Sequence, residues 1–248
     1  MHQTRLTVLD DNPAALDILW DSLAPEPGHQ SPRIRSVMIS SIDGTTTVDG
    51  HSGGLGTPTD GLVYHAMRAR ADFVVVGSGT ALAEGYGAAR VSDTWADRRS
   101  GPPPVVLILS RSLPDALLDL CVGAGDGLRV VAAHDTAPDR LEAASRRGVT
   151  VHVLGPGPTG AAVRSLVTAL GAAEVVLEGG PSVLGEFLEQ GEVDELVLSF
   201  APELFISGDD TRLVSGMRPV RIPMRVAAAF TCPLGGLYTR WVVGDEAR

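Results

Sequence analysis

Lysine is missing from this 248-residue chain, and all 20 of its basic residues are arginine. A Schiff-base or pyridoxal phosphate enzyme needs a lysine amine, and the phosphate-binding loop G-x-x-x-x-G-K-[ST] needs a lysine side chain, so the sequence excludes both. Any anion that the protein binds must therefore be held by arginine side chains, hydroxyl groups and backbone N–H groups.

Cysteine is scarce, and long apolar runs are absent. Cys121 and Cys232 lie far apart in the chain without a C-x-x-C pair, so we expect no thiolate metal site and a reduced, cytoplasmic protein. No apolar run approaches the roughly 18 residues of a membrane span, and the first residues contain no apolar signal segment. The sequence therefore predicts a protein that is neither inserted in a membrane nor exported.

Positive charge and aromatic residues are also in short supply. The chain has 30 acidic against 20 basic residues, a formal net charge of -10 and only 4% aromatic residues. Coulomb repulsion and the lack of a basic stripe argue against a nucleic acid partner. The expected partner is a small molecule, and an anionic one needs local arginines and helix N-termini.

Apolar residues make up 44% of the chain, which is enough for a full core in one large domain. Short β-branched runs alternate with helical patterns, which predicts a mostly parallel α/β sheet flanked by helices. The predicted strands are 34–42, 73–76, 105–109, 128–132, 149–154, 174–177, 193–200, 225–231 and 237–243. The predicted helices between them are 59–71, 137–147, 160–170 and 181–190. Because no helix separates the last three strands, we expect antiparallel strands at the C-terminal end.

The first 32 residues form a predicted N-terminal helical appendage and linker to the main domain, residues 33–248. Asp11-Asn12-Pro13 is typical of a helix start, with an N-cap side chain followed by proline. A helical pattern follows as far as Leu23, and a Pro- and Gly-containing stretch ends it.

Glycine-rich turns directly after two predicted buried strands are the clearest chemical signal. One is Gly77-Ser78-Gly79-Thr80, and the other is Gly179-Gly180-Pro181-Ser182 after Glu178. Such turns let backbone N–H groups approach a phosphate at a helix N-terminus. The first is not the G-x-G-x-x-G fingerprint, because Leu82 stands where the third glycine belongs. The two turns either bind one long diphosphate ligand or are tight turns needed only for packing.

A third strand end carries Ser110 and Arg111. A guanidinium at that place suits the ribose 2'-phosphate of NADPH, which arginine can bind with two hydrogen bonds. The alternative is a solvated loop arginine.

Asp60 is the carboxylate that stands out, because it lies in the first turn of the helix predicted over 59–71. The helix dipole would keep it ionised and able to accept hydrogen bonds from an amino-heterocycle. The alternative is a plain helix cap.

The sequence lacks the common metal-binding motifs and the nucleophile motif of the hydrolases. His65 and Arg68 are neighbours on one helix, but no His-x-His, H-E-x-x-H or carboxylate pair has the spacing of metal ligands, so no metal is expected. A G-x-S-x-G elbow is also lacking, which argues against an α/β-hydrolase.

Five short motifs in order resemble the reductase domain of bacterial riboflavin biosynthesis, a family with a dihydrofolate-reductase-like fold. The resemblance covers about residues 34–243. The motifs are Ser41-Ile42-Asp43-Gly44, Gly50-His51-Ser52, His65-Ala66-Met67-Arg68-Ala69, Val76-Gly77-Ser78-Gly79-Thr80 and Glu178-Gly179-Gly180-Pro181-Ser182-Val183-Leu184.

The resemblance implies an NADPH-dependent reductase, an oxidoreductase, that converts the ribosylamino group of 5-amino-6-(5-phosphoribosylamino)uracil to a ribitylamino group, and that is a homodimer. It implies that Asp60 and Glu84 are catalytic. The implied substrate-binding residues are Ser41, Asp43, Ser52, His65, Arg68 and Arg90. The implied cofactor-binding residues are Gly77, Ser78, Gly79, Thr80, Ser110, Arg111, Glu178, Gly179, Gly180, Pro181, Ser182 and Leu184.

The half of the pattern that concerns the substrate departs from the family. Gly54, Leu55 and Gly56 replace its Trp, Ile and Thr, Gly61 replaces an arginine that would help to hold the substrate phosphate, and 84–89 replaces its D-D-P-x-L-T. A dihydrofolate or other pterin reductase is therefore the alternative, since Asp60 resembles the helix-start aspartate that holds the pterin edge in such enzymes. A third reading is a non-catalytic NADPH-binding homologue. The chain lacks the H-x-E and P-C-x-x-C of the zinc deaminase half, so we expect a stand-alone reductase.

Overall fold

The computed structural model describes residues 6–9, 13–26, 32–206 and 212–244. Within these segments the chain forms ten strands: β1 (Leu6–Val8), β2 (Arg33–Ser41), β3 (Phe73–Gly77), β4 (Val105–Ser110), β5 (Leu128–Ala132), β6 (Val151–Val153), β7 (Glu174–Leu177), β8 (Glu195–Ala201), β9 (Met224–Thr231) and β10 (Leu237–Val243). The α-helices in the same segments are α1 (Pro13–Ser22), α2 (Pro58–Arg70), α3 (Ser78–Ala83), α4 (Asp93–Ala96), α5 (Asp115–Ala124), α6 (Pro138–Arg146), α7 (Thr159–Ala169) and α8 (Pro181–Glu189).

All ten strands belong to one sheet with the order β1-β9-β10-β8-β2-β7-β3-β4-β5-β6. Only β10 pairs antiparallel, with β8 and β9, and every other pair in the sheet is parallel. The predicted fold class, a mostly parallel α/β sheet with antiparallel pairing at its C-terminal end, is confirmed.

The alternation of side chains along the strands places apolar groups on both faces of the sheet. In β3, Val74 and Val76 point into one core, with Leu117 of α5. Phe73 and Val75 point into the opposite core, with residues of α7 and α8. Because helices cover both faces, the central strands have no solvent-facing side and read as continuous apolar runs.

Most predicted elements lie within two residues of their observed bounds, but α4, α5 and β1 were not predicted. The pattern of α5 was missed because Val122 lies exposed among its buried leucines, which weakens the contrast between its faces. The short strand β1 lies parallel beside β9, a pairing that no local pattern encodes.

The N-terminal segment packs on the main body. Leu19 and Leu23 are each 1% exposed and share a core with Met67 of α2. Trp20 stacks on Trp95, with ring centroids 5.5 Å apart. The division into an appendage of residues 1–32 and a domain of residues 33–248 stays a prediction, and the predicted cap at 11–12 and most of the linker lie outside the described residues. In the described segments, no helix is both long and apolar enough to cross a lipid bilayer.

Candidate active site

The carboxyl ends of the parallel strands open into two adjoining cavities. A change in the direction of winding occurs here, because β7 inserts between β2 and β3 although it follows them by about a hundred residues. Ligands of open α/β sheets bind in crevices at such a point. The sheet topology thus creates a ligand site without the help of any particular motif.

The larger cavity has a volume of about 620 Å³ and lies at the ends of β2, β3 and β7. Its polar lining includes residues from four separate loops and helices: Thr46, Thr47, Ser52, Asp60, Tyr64, Arg68, Thr80, Glu84, Tyr86 and Glu178.

The smaller cavity, of about 470 Å³, lies beyond the ends of β3, β4, β5 and β6. Its lining is rich in glycine and hydroxyl groups and includes Gly77, Ser78, Ser110, Arg111, Ser112, His134, Gly155, Gly157, Thr159 and Ser182. Gly79, Thr80, Gly180 and Pro181 line both cavities. Both volumes fall in the range of small-molecule sites, and the shared residues make them two ends of one crevice.

The two predicted glycine turns meet at the junction of the cavities. The Gly77 N–H donates to the Gly179 carbonyl over 2.7 Å, and a cis peptide bond joins Gly179 to Gly180. A Cβ on Gly180 would lie 2.6 Å from Thr80 Oγ1, whereas a Cβ on Gly79 would meet no atom within 4 Å. A side chain at position 180 would therefore have to displace the Thr80 hydroxyl, while Gly79 leaves open space for a ligand.

A buried ion pair forms one wall of the larger cavity. Arg68 donates from Nε to Glu178 Oε1 over 2.6 Å and from Nη2 to Oε2 over 2.7 Å. Tyr64 and Tyr86 donate their hydroxyls to the same Oε2, over 3.1 and 2.6 Å, and the guanidinium lies 4.5 Å from the Tyr64 ring centroid. Burial, followed by the Glu178 charge, raises the pKa of both tyrosines, so their hydroxyls stay protonated.

Glu84 lies on another wall of the larger cavity. Its Oε1 accepts the Ser52 N–H over 2.7 Å, which ties the glycine-rich loop to the end of α3. Its Oε2 lies 3.7 Å from His51 Nδ1 at the exposed side of that loop.

Asp60 also lines the larger cavity, but it is not the helix cap. Thr57 is the N-cap of α2, and its hydroxyl accepts the Asp60 N–H over 3.1 Å. Burial raises the pKa of the Asp60 carboxyl, which is opposite to the stabilisation of the ionised form expected from the helix dipole. The protein atoms around the carboxyl desolvate it, and a hydrogen bond with Ser199 offsets part of this effect.

In the smaller cavity, Ser110 is buried and its hydroxyl accepts the Leu113 N–H over 3.1 Å. The Arg111 side chain is 83% exposed, and its Nη2 lies 3.7 Å from Glu186 Oε2. An exposed guanidinium with one distant partner can turn to meet a ligand anion.

Several predicted residues lie outside the lining of both cavities. Ser41 and Asp43 form a hydrogen-bonded turn in which Ser41 Oγ donates to Asp43 Oδ1 over 2.7 Å. The Thr45 hydroxyl and the Phe205 N–H also donate to the Asp43 carboxylate. Together these hydrogen bonds, with that from Ser41 the largest cause, lower the pKa of Asp43 to about 2. Arg90 is exposed, and Leu184 is fully buried in the core. His65 packs edge-on against Tyr64, and Gly179 serves the turn described above. The other predicted site residues line one or both cavities.

The sequence reasoning missed Tyr64, Tyr86 and His134. His134 follows β5 by two residues, so the rule that ligands lie beyond parallel strand ends could have identified it. The tyrosines gave no such signal, since only the fold brings them together. No group of three or more His, Cys, Asp or Glu side chains in the described part of the chain is placed to hold a metal ion.

Comparison with known proteins gives a consistent result. Residues 32–233 match the sequence family described as the RibD C-terminal domain. A crystal structure of a pyrimidine reductase-like protein from Corynebacterium diphtheriae is 27% identical, with a TM-score of 0.74 over 87% of this chain and 93% of that chain.

Two further structures share the fold at lower identity. The riboflavin biosynthesis reductase of Saccharomyces cerevisiae is 17% identical, with a TM-score of 0.61 over 95% of this chain and 100% of that chain. RibD of Acinetobacter baumannii is 18% identical, with a TM-score of 0.66 over 86% of this chain and 58% of that chain. A search among curated proteins found no match.

Proposed function

We propose, from the premise that this chain belongs to the RibD C-terminal domain family, that it is an NADPH-dependent reductase of a small amino-pyrimidine compound. The family reaction implied by the sequence motifs, reduction of the ribosylamino group of 5-amino-6-(5-phosphoribosylamino)uracil, is the first candidate. The observation that carries the proposal is the pair of cavities joined at Gly79, Thr80, Gly180 and Pro181. One crevice thereby offers space for a dinucleotide and a second small molecule in contact with each other.

The smaller cavity suits the adenosine end of NADPH. Gly79 has open space beside its backbone, Gly180 lines both cavities, and α8 begins at Pro181 at their junction. This is an arrangement that favours a diphosphate. Arg111 also lines the smaller cavity, where it would bind the ribose 2'-phosphate.

The larger cavity would hold the nicotinamide and the substrate. Bound NADPH supplies a hydride to the substrate carbon. Asp60 would accept hydrogen bonds from the amino groups of the ring, and Glu84 would orient the sugar or hold a proton at its Oε2. The hydroxyls of Tyr64 and Tyr86 donate hydrogen bonds to Glu178, so they hold the wall of the cavity in place rather than supply the reaction's proton.

A second candidate is reduction of dihydrofolate or another dihydropterin. The observation that favours it is the position of Asp60, which faces the larger cavity from the first turn of α2. A carboxylate there can pair with the 2-amino edge of a pterin as well as with that of a pyrimidine.

The decisive experiment follows NADPH absorbance with purified protein and either the phosphoribosylamino-pyrimidine or dihydrofolate. Oxidation with the first supports the family reaction, and oxidation with dihydrofolate alone supports the second candidate. If NADPH binds but is oxidised with neither, the reductase proposal is wrong and a non-catalytic NADPH-binding homologue is favoured.

A further inference from the structure

We propose that the larger cavity selects a substrate without a phosphate group, namely an amino-heterocycle whose N–H groups meet the carboxylates of the cavity. The inference rests on the proposed function in taking this cavity as the substrate site, and it favours the second candidate, a dihydropterin, or a phosphate-free pyrimidine over the phosphorylated family substrate. It concerns a property of the cavity, its charge, that the family match leaves open.

The charge of the lining is negative. Among the described residues that line the larger cavity, Asp60, Glu84 and Glu178 are acidic and Arg68 is basic. Three carboxylates against one guanidinium give a formal net charge of -2, and the lining stays negative even when Asp60 is protonated. A phosphate monoester carries about -1.5 to -2 charges at pH 7 and would be repelled.

Arg68, the basic residue in the lining, is already paired with Glu178. Arg68 uses Nε and Nη2 in its two bonds to Glu178, and its side chain is 13% exposed. Turning it toward a substrate phosphate would leave Glu178 buried without its counter-charge, which is strongly unfavourable.

The N-terminus of α2, which borders this cavity, is committed as well, and the N-terminus of α8 lies at the junction, where the proposed function assigns it to the NADPH diphosphate. At the start of α2 the Thr57 hydroxyl accepts the Asp60 N–H, and the Asp60 carboxylate lies in the same turn. The partial positive charge of the helix end, which elsewhere attracts phosphate, is here met by the protein's own carboxylate.

His51 lies beside the larger cavity and contacts the lining residue Glu84. Its Nδ1 lies 3.7 Å from Glu84 Oε2, so a protonated imidazole there would offset the charge of that one carboxylate. The balance of the lining then moves from -2 to -1 and does not become positive.

The first test measures binding by calorimetry to protein saturated with NADP⁺, with three probes. They are 5-amino-6-(ribosylamino)uracil, the same compound with its 5'-phosphate, and 7,8-dihydrobiopterin. We expect at least one phosphate-free probe to bind about tenfold or more tightly than the phosphorylated one at low salt. The ratio of the two affinities should decrease in high salt, because salt screens the repulsion between the phosphate and the carboxylates of the cavity. The comparison of the two phosphate-free probes tells which ring is preferred.

A charge-adding variant gives an independent test. Gly53 lines the larger cavity, and a Cβ there would meet no atom within 4 Å. Gly53→Arg should therefore tighten binding of the phosphorylated probe about tenfold, while the matched variant Gly53→Gln should not. Glu84→Gln removes one negative charge and keeps an acceptor for the Ser52 N–H. It should also bring the affinities for the phosphate-free and the phosphorylated probes closer together.

The outcomes separate this inference from the proposed function. Equal or tighter binding of the phosphorylated probe by the unaltered protein, or no binding of any probe, overturns the inference. If a phosphate-free probe binds selectively but NADPH is not oxidised, the inference stands and the reductase proposal fails. If only the phosphorylated probe supports NADPH oxidation, the reductase proposal stands and the inference fails.

Discussion

Arg68 and Glu178 are joined by two hydrogen bonds, Nε to Oε1 over 2.6 Å and Nη2 to Oε2 over 2.7 Å. The arginine lies on α2 and the glutamate follows β7, 110 residues later in the chain. Their side chains are only 13% and 2% exposed. This pair links two of the sequence motifs and defines one wall of the larger cavity.

Loss of one partner of this pair should be costly. We expect Arg68→Met to lower the free energy of unfolding by about 3 kcal/mol, because Glu178 is left buried without its counter-charge. Urea denaturation followed by circular dichroism measures the change. Arg146→Met serves as the matched control, since Arg146 forms an exposed i, i+4 pair with Glu142 at 2.8 Å. Solvent screening limits that pair to about 0.5 kcal/mol, and equal losses in the two variants would contradict the prediction.

Arg111 should decide between NADPH and NADH. We expect Arg111→Ala to raise the KM for NADPH about tenfold or more and to leave the KM for NADH nearly unchanged, since only NADPH carries the 2'-phosphate. Glu186→Gln makes the opposite test, because Glu186 lies 3.7 Å from Arg111 and competes with the phosphate for it. That variant should lower the KM for NADPH. Steady-state kinetics with both cofactors measures these changes, and an unchanged preference in Arg111→Ala would remove it from the site.

Asp60→Asn should separate stability from activity. The carboxylate would accept charged hydrogen bonds from the substrate, so we expect kcat/KM to fall at least about tenfold, with little change in NADPH affinity. Burial raises the pKa of Asp60 in the folded protein. The folded state then binds the proton more tightly than the unfolded state, so this carboxyl destabilises the fold increasingly as pH rises from its unfolded pKa through its folded pKa.

The neutral asparagine removes that dependence. Asp60→Asn should therefore be more stable than the unaltered protein at pH 7, and the difference should vanish below about pH 3, where both states are protonated. Denaturation curves of both proteins from pH 3 to pH 8 measure the difference in their free energies of unfolding. A variant that is less stable at pH 7 would show that the carboxylate stabilises the fold.

Two glycines at the junction of the cavities should respond differently to the same substitution. Gly79→Ala should fold with normal stability, because a Cβ there meets no atom within 4 Å. It should nevertheless weaken NADPH binding about tenfold, since the methyl group occupies ligand space. Gly180→Ala should destabilise the protein, because its Cβ would lie 2.6 Å from Thr80 Oγ1.

A second substitution checks the cause in Gly180→Ala. Thr80→Ala removes the hydroxyl that the new methyl group meets, so the double variant should recover most of the lost stability. Thermal unfolding gives the stabilities and fluorescence titration gives the NADPH affinities. No recovery in the double variant would mean that the close approach to Thr80 is not the source of the loss.

The local patterns of the sequence predicted most of the sheet and five of the helices, α1 included. Continuous apolar runs such as 73–76 predict buried parallel strands because both of their faces are covered. Proline at the first helical position marks helix starts, as at Pro58, although the cap of that helix is Thr57 and not Asp60. The glycine turns after β3 and β7 were identified for the same reason, because their signal is local in the chain.

The sequence by itself also determined which chemistry is available: without lysine, anions must be met by arginine and backbone groups. Only the tertiary structure decided which arginines are available. Arg111 is exposed in the smaller cavity, whereas Arg68 is bound to Glu178 from a distant strand. The reason is physical: a residue's charge is local to it, but the counter-charges, the burial and the resulting sign of a cavity arise only when remote segments pack together.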